Sequence, residues 1–210
     1  MGQLDGDPRE RLQNLYIDEN PHPQGEKDKL TKADDGSRYS AVHAQYHPWL
    51  RRFQKSRGYY DVFLAAPDGD LIYSVFKERD YATDLRDGEW ADSGLGTAVQ
   101  AAAADPSRDT LVFRDFAPYR PSHGAPASFI AKPVLDGEGE LLGVLAYQMP
   151  IERMNAVITQ TSGLGETGQS YLVGQDHLMR TDSRFSADGE STILSREVNT
   201  DAVARRFDGA

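Results

Sequence analysis

Cysteine is absent from the 210-residue chain. That excludes disulfides, thiol nucleophiles and thiolate metal sites together. Long apolar runs are missing as well: none approaches the ~18–20 residues of a membrane span. The start, Met1–Gly2–Gln3–Leu4–Asp5, lacks the apolar stretch of a signal peptide. If the domain works outside the cytoplasm, its targeting segment is expected to lie outside these residues. Basic residues are in deficit, 23 Lys and Arg against 33 Asp and Glu, for a net charge of −10. That is the opposite of the footprint phosphate recognition needs, so nucleic acid is excluded as a partner. An acidic surface also disfavours docking on anionic lipid and serves solubility. With 39% hydrophobic residues, the chain supports one well-filled core with polar elaborations rather than two complete cores.

What the chain does have is a strand–turn–strand pattern that appears three times. Tyr60–Leu64 runs through Pro67–Asp68–Gly69–Asp70 into Leu71–Val75. Ala131–Leu135 runs through Asp136–Gly137–Glu138–Gly139–Glu140 into Leu141–Tyr147, and Ser170–Val173 through Gly174–Gln175–Asp176–His177 into Leu178–Arg180. Each joins two β-branched or aromatic runs through turn residues. The Asp-Gly pairs at 68–69 and 136–137 are expected to supply the positive φ that tight hairpins need. A further strand is expected at 110–116, an irregular loop at 117–125, and strands at 127–135 and 140–148, completing an antiparallel sheet of about five.

Helices are expected around this sheet. Asp7–Glu19 carries a rough apolar stripe of Leu4, Leu12, Leu15 and Tyr16, with Pro8 in its first turn. Tyr39, Val42, Tyr46, Trp49, Leu50 and Phe53 recur at three- and four-residue spacing, which predicts an amphipathic helix over 38–57 closed by Gly58. That helix is expected to pack on the sheet through Trp49, Leu50 and Phe53. An alanine-rich helix over 97–104 and another from Pro150 to Ile158 follow. Gly163–Gly168 separates this unit from one more hairpin, a Ser/Asp/Gly-rich loop at 182–191 and a short segment to Ala210, which is expected to be the truncated start of a second unit. The organisation is thus an N-terminal helical region at 1–58, a sheet-bearing unit at 59–162, and a linker with a partial second subdomain at 163–210.

The fold class is α+β, in a PAS-like arrangement. The residues that carry a more specific likeness are Tyr59–Leu64, Val75–Phe76–Lys77–Glu78, Trp90–Gly96, Asp115–Tyr119 and Gly165–Gly174. Together, over roughly 38–185, they resemble the double Cache sensor domains of bacterial chemoreceptors and other transmembrane signalling proteins. The resemblance implies a periplasmic or extracellular domain of a membrane receptor that binds a small molecule and relays a conformational signal through its N-terminal helix. It implies no catalysis and no cofactor. It places the membrane in flanking segments outside this chain and allows a homodimer. The family's amino-acid-binding pattern has an Arg two positions before a Trp-Tyr pair. Here Arg86 stands four before Trp90, and Ala91 replaces the Tyr, so a small organic acid is favoured over an amino acid.

Motifs that carry chemistry are few. Gly163-x-Gly165-x-x-Gly168 spells a dinucleotide fingerprint but follows a helix and opens a strand, the wrong context. His43 and His47 share a metal-compatible spacing without a third ligand, and are expected on the helix surface. Asp68/Asp70 and Glu138/Glu140 lie in turns, and Ser93, Ser122 and Ser128 lack a nucleophile elbow. The candidate ligand-binding residues are therefore Lys77, Tyr81, Thr83, Trp90, Tyr119, Ser122, Ser128 and Tyr147. Aromatic walls with a few cationic and hydroxyl groups suit a small carboxylate, with Lys77 as its cation. In this reading Phe76 and Glu78 point away from the pocket. The alternative is a structural dimerisation module without a ligand, using the helix over 38–57 as its partner face. A small hydrolase would need two convergent acids in one cleft.

Overall fold

The computed structural model describes residues 7–186 and 190–207. Its centre is a five-stranded sheet in the order β2-β1-β5-β4-β3, antiparallel at every pairing. The strands are β1 (Asp61–Ala65), β2 (Leu71–Ser74), β3 (Val112–Tyr119), β4 (Ala125–Leu135) and β5 (Leu141–Gln148). Helix α1 (Pro8–Gln13) runs into a π-helical turn at Asn14–Asp18; α2 is Arg38–Arg57, α3 Gly94–Ala104, α4 Ile151–Ile158 and α5 Asp201–Phe207. Leu4, part of the expected first helical stripe, lies outside the described residues, as do 187–189 in the expected 182–191 loop and 208–210 in the terminal segment.

The first hairpin turns as expected, with Gly69 at φ 100°. The second does not place its left-handed residue at Gly137. The Asp136 carboxylate accepts the N–H groups of Glu138 and Glu140, which closes a longer loop and moves the positive φ to Gly139, at 93°. β3 also outruns the expectation. It continues past a bulge between Arg114 and Ala117 and pairs Tyr119 with Ala125, so the expected loop at 117–125 shrinks to a single 3-10 turn, Arg120–Ser122, and its exit. Pro118 is tolerated there because β3 is an edge strand. The third hairpin forms no named strands; isolated bridges join Val173 to Met179 and Leu178 to Glu197.

The sheet has two covered faces. On one, Phe63, Ala65, Val144, Ala146, Phe129 and Ala131 meet α3 and the long connection 75–93. On the other, Val62, Tyr73, Leu145 and Tyr147 meet Leu50 and Phe53 of α2. Helix α3 starts where Ser93 accepts the N–H of Gly96 at 3.0 Å. Helix α2 starts at Ser37, which accepts from Ser40, and ends at Gly58 with φ 72°.

The inward face of α2 corrects the sequence expectation. Trp49 is 57% exposed, and Val42 and Tyr46 are also exposed, while Ser40, His43, His47 and Gln54 are buried. The reason is the segment 20–37, which crosses this face with buried carbonyls that need donors. His47 makes hydrogen bonds of 2.8 Å with the Asp28 carbonyl and 2.7 Å with the Tyr73 hydroxyl. His43 bonds the Thr31 carbonyl at 2.8 Å. The histidines are therefore interior groups, not surface ones.

Packing is tight at Gly96, where an added Cβ would stand 2.3 Å from the Trp90 carbonyl oxygen and 2.4 Å from that of Ala91. Both obstacles are backbone and cannot swing aside. Gly96→Ala is expected to lower unfolding free energy by ~1–3 kcal/mol, measured by urea denaturation with an unchanged m-value.

Candidate functional site

Beyond β2 the chain leaves the sheet in a run of alternating charge, Lys77–Glu78–Arg79–Asp80. It folds back so that the Leu71 N–H donates to the Thr83 carbonyl at 2.9 Å and the Ala82 N–H to the Leu71 carbonyl at 3.0 Å. Lys77 takes the left-handed conformation, φ 59°, which turns its side chain into the protein. It is 2% exposed. Its Nζ donates to the Ser74 carbonyl and lies 4.3, 5.1 and 5.9 Å from the ring centroids of Tyr73, Tyr81 and Tyr16. Ring faces offer a desolvated ammonium about 2 kcal/mol each at best. Burial lowers the Lys77 pKa to about 7, against the opposing pull of the Asp61 charge.

Three acids surround this lysine's segment. Asp61 is fully buried at the start of β1 and accepts the N–H groups of Val62, Val75 and Phe76 at 2.6, 2.8 and 3.3 Å. Burial, then the neighbouring Asp80 charge, pushes its pKa well up. Glu78 accepts from Ser122 Oγ at 2.6 Å and Tyr60 OH at 3.0 Å, and burial raises it too. Asp80 is fully buried; its Oδ2 accepts from Tyr119 OH at 2.5 Å, while Oδ1 has no partner. Burial, partly opposed by the Tyr119 hydrogen bond and aided by the Glu78 charge, brings Asp80 to about 7. Gln148, at the end of β5, donates weakly to Ser122 Oγ at 3.4 Å and leaves its own Oε1 unpaired. A cavity of about 390 Å³ opens on the Glu78 side of this cluster, with Glu78, Lys77, Phe76, Arg79 and His123 among its walls; Asp80 and Gln148 lie buried behind Glu78 and do not line it. Gln24 meets His123 at 2.6 Å there, joining the crossing segment to the turn after Tyr119.

Of the residues expected from sequence, Lys77, Tyr119 and Ser122 come together around Glu78 and Asp80. Tyr81 joins through the Lys77 ammonium and donates to Tyr39 OH at 2.7 Å. Thr83 donates to the Asp80 carbonyl at 2.6 Å and shapes the turn. Trp90 bonds the Arg79 carbonyl at 3.3 Å and lies under Arg120. Ser128 and Tyr147 are not brought in. Strand alternation from Ala127 and Phe129 turns Ser128 to the α2 face, and there Tyr147 stacks on Tyr59 at 4.4 Å. Phe76 finds its cover on Tyr60, ring to ring at 5.2 Å. Glu78 does not point away, because β2 ends at Ser74 and strand alternation stops with it.

Sequence reasoning passed over Tyr60, Asp61, Glu78, Asp80 and Gln148. The signal for two of them is the Glu78-x-Asp80 pair, which alternates with Lys77 and Arg79 in one run. Among the described residues no group of three His, Asp or Glu side chains is placed to hold a metal.

No family model matches the chain. The sequence is 26% identical over 162 residues to the probable chemoreceptor y4sI of Sinorhizobium fredii, covering 75% of this chain. The chain spans only 19% of that receptor's length. Among solved structures it is similar to the sensory domain of the Campylobacter jejuni chemoreceptor Tlp3, with TM-score 0.50 and 15% identity over 91% of this chain and 68% of that one. The ligand-binding domain of the Pseudomonas aeruginosa chemoreceptor PctC, solved with GABA, aligns at TM-score 0.48 and 18% identity over 96% of this chain and 76% of that one. The fold is shared with the Tlp3 sensory domain, in keeping with the PAS-like arrangement expected from the sequence.

The raised Asp80 pKa has a definite sign in stability. Between about pH 4 and 7 the unfolded carboxyl gives up its proton while the folded one keeps it, so ionisation works against folding as pH rises. Asp80→Asn removes that penalty. Relative to the parent, the variant is expected to gain stability from pH 4 to pH 7, by ~4 kcal/mol at most, in urea titrations at several pH values. A difference that does not change across that range would show that Asp80 is ionised throughout.

Proposed function

We propose that this chain is the extracytoplasmic ligand-sensing domain of a transmembrane signalling receptor, binding a small molecule in the cavity beside Glu78 and Asp80 and doing no chemistry on it. The fold shared with the Tlp3 sensory domain and the identity with a chemoreceptor sequence support this reading. Among the described residues no helix is long and apolar enough to cross a membrane. Anchoring therefore falls to other parts of the receptor in this proposal.

The observation that bears most on the ligand is the excess of acceptors. Asp80 Oδ1 and Gln148 Oε1 are buried without a donor, and Glu78 adds a third acceptor group at the cavity wall. A buried acceptor left unpaired costs about 1–3 kcal/mol, which a ligand carrying N–H groups recovers. Lys77, on which a carboxylate ligand would rely, has its ammonium committed to Ser74 and the tyrosine rings. The proposal therefore moves from a small organic acid to a small organic amine. A carboxylate on the same molecule is accommodated by Arg79 at the cavity wall, whose partner is Asp18 at 2.9 Å.

Thermal-shift screening against primary amines, diamines, amino acids and short organic acids tests this. An amine at a hundred times its Kd should add ~2.7 kcal/mol of stability. Its affinity should fall at least ~10-fold in Asp80→Asn and in Glu78→Gln, in line with a lost charge-assisted hydrogen bond. Tyr119→Phe should weaken it less. Stabilisation by organic acids alone would return the site to the carboxylate reading.

One observation favours the second reading, a dimerisation module. Val42, Tyr46 and Trp49 of α2 and Ile72 of β2 are exposed together along an apolar groove. Trp49→Ser should reduce any dimer seen in sedimentation velocity if that groove is its interface.

A further inference from the structure

The ammonium of Lys77 sits on three tyrosine rings that come from three separate parts of the chain. Tyr16 belongs to the π-helical turn after α1, Tyr73 to β2, and Tyr81 to the loop beyond it. All three send their hydroxyls to the same helix. Tyr16 OH donates to Ser40 Oγ at 3.0 Å, Tyr73 OH bonds His47 Nδ1 at 2.7 Å, and Tyr81 OH donates to Tyr39 OH at 2.7 Å. Every one of these partners lies in the first half of α2. His43, between them, stacks on His47 at 4.4 Å and against Tyr16 at 4.6 Å.

On its other side Lys77 is one peptide bond from Glu78, which lines the cavity, and three residues from Asp80, which is buried behind it. Its backbone N–H is held by Ser74 Oγ at 3.0 Å, and its Nζ by the Ser74 carbonyl. The short segment 77–80 therefore has no slack: one end is clamped to β2, and Asp80 is fixed to Tyr119 on β3. A rigid segment in a close-packed interior passes a displacement on rather than absorbing it.

We propose that Lys77 is a positioning residue that couples the acid-lined cavity to helix α2, its ammonium holding three tyrosines whose hydroxyls grip the first half of that helix. The proposal rests on the cavity being the ligand site. A group bound by Glu78 at the cavity wall shifts segment 77–80, and Lys77 moves with it. The three rings follow the ammonium, because leaving it would strand a buried charge. Their hydroxyls then carry the shift to Tyr39, Ser40 and His47, so α2 is addressed at three points along its first half.

Hydrogen exchange on the whole chain tests the coupling without any ligand. Asp80→Asn changes the group by which Tyr119 holds the far end of segment 77–80, and protection of the amides in the first half of α2 is the readout, with α3 as the internal control. In the parent background Asp80→Asn should change protection in α2 by at least ~5-fold, the lower range of a site-to-site coupling. In a Lys77→Met background the same substitution should change it less than ~2-fold. A purely structural Lys77 would lower protection in both arms yet leave the Asp80 response intact, and that result would overturn the proposal. So would an α2 that ignores Asp80→Asn in the parent. If Lys77→Met does not fold, Tyr73→Phe and Tyr16→Phe keep the rings and remove one hydroxyl each. The response should then drop around His47 and Ser40 respectively, and an undiminished response in both variants would be equally fatal. Because no ligand enters, failure of the amine screen and failure of the coupling are separate results.

Discussion

A lysine ammonium taken almost wholly out of water is the constraint around which this domain is arranged. Such a group costs several kcal/mol unless it is matched. Here the matching is distributed: a backbone carbonyl, three tyrosine faces and the charge of Asp61. Asp61 in turn is buried and is met by the N–H groups that β2 releases as it ends, at Val75 and Phe76. The end of β2, the start of β1 and the crossing N-terminal segment are thus fixed relative to one another by electrostatics rather than by apolar packing. That leaves the acids beyond Lys77 held in place but incompletely satisfied, which is the condition a binding site requires.

The same constraint explains the unusual polarity of α2. A helix that lies on a sheet ordinarily turns its apolar stripe inward. Here a crossing segment, the Tyr73 hydroxyl and the lysine environment all present polar atoms to it. Histidine and serine meet them, and the aromatic stripe is rotated outward. Both histidines remain neutral in that setting, since burial depresses His47 to about 4 and His43 to about 2, with the nearby Lys77 charge adding to the effect. Neutral imidazoles can accept as well as donate, and His47 needs both roles for its two partners.

What was legible in the sequence was periodic. Two of the three hairpins, the sheet of about five strands, the Gly58 stop of α2 and the alanine-rich helix over 97–104, which the structure starts earlier at Gly94, all follow from local turn and capping chemistry. The likeness to sensory domains rests instead on a resemblance of residue runs such as Trp90–Gly96 and Gly165–Gly174. The rotation of α2 was not legible, because its cause lies in the carbonyls of residues 28 and 31, whose course over the helix no local pattern encodes. The candidate site was half legible for the same kind of reason. Lys77, Tyr119 and Ser122 were found by residue type near strand ends, whereas Ser128 and Tyr147 required the true strand register to be placed on the far face. Glu78 and Asp80 were hidden by an assumed alternation that stops at Ser74, three residues before the backbone turns left-handed at Lys77.

The backbone pairing of the 81–84 loop with β2 also bears on how the domain survives in crowded surroundings. β2 is an edge strand, and a bare edge invites another chain to extend the sheet. Here Leu71 already exchanges hydrogen bonds with Thr83 and Ala82, and Asp70 bridges Asp84, so that border is closed by the chain itself. The opposite border, β3, carries a bulge, Pro118, and Asp115 tied to Arg180 at 2.9 Å. These features interrupt the regular ladder an incoming strand would need. The loop that supplies Glu78 to the cavity is thus also a guard against aggregation, and shortening it to simplify the site would unseal one side of the sheet.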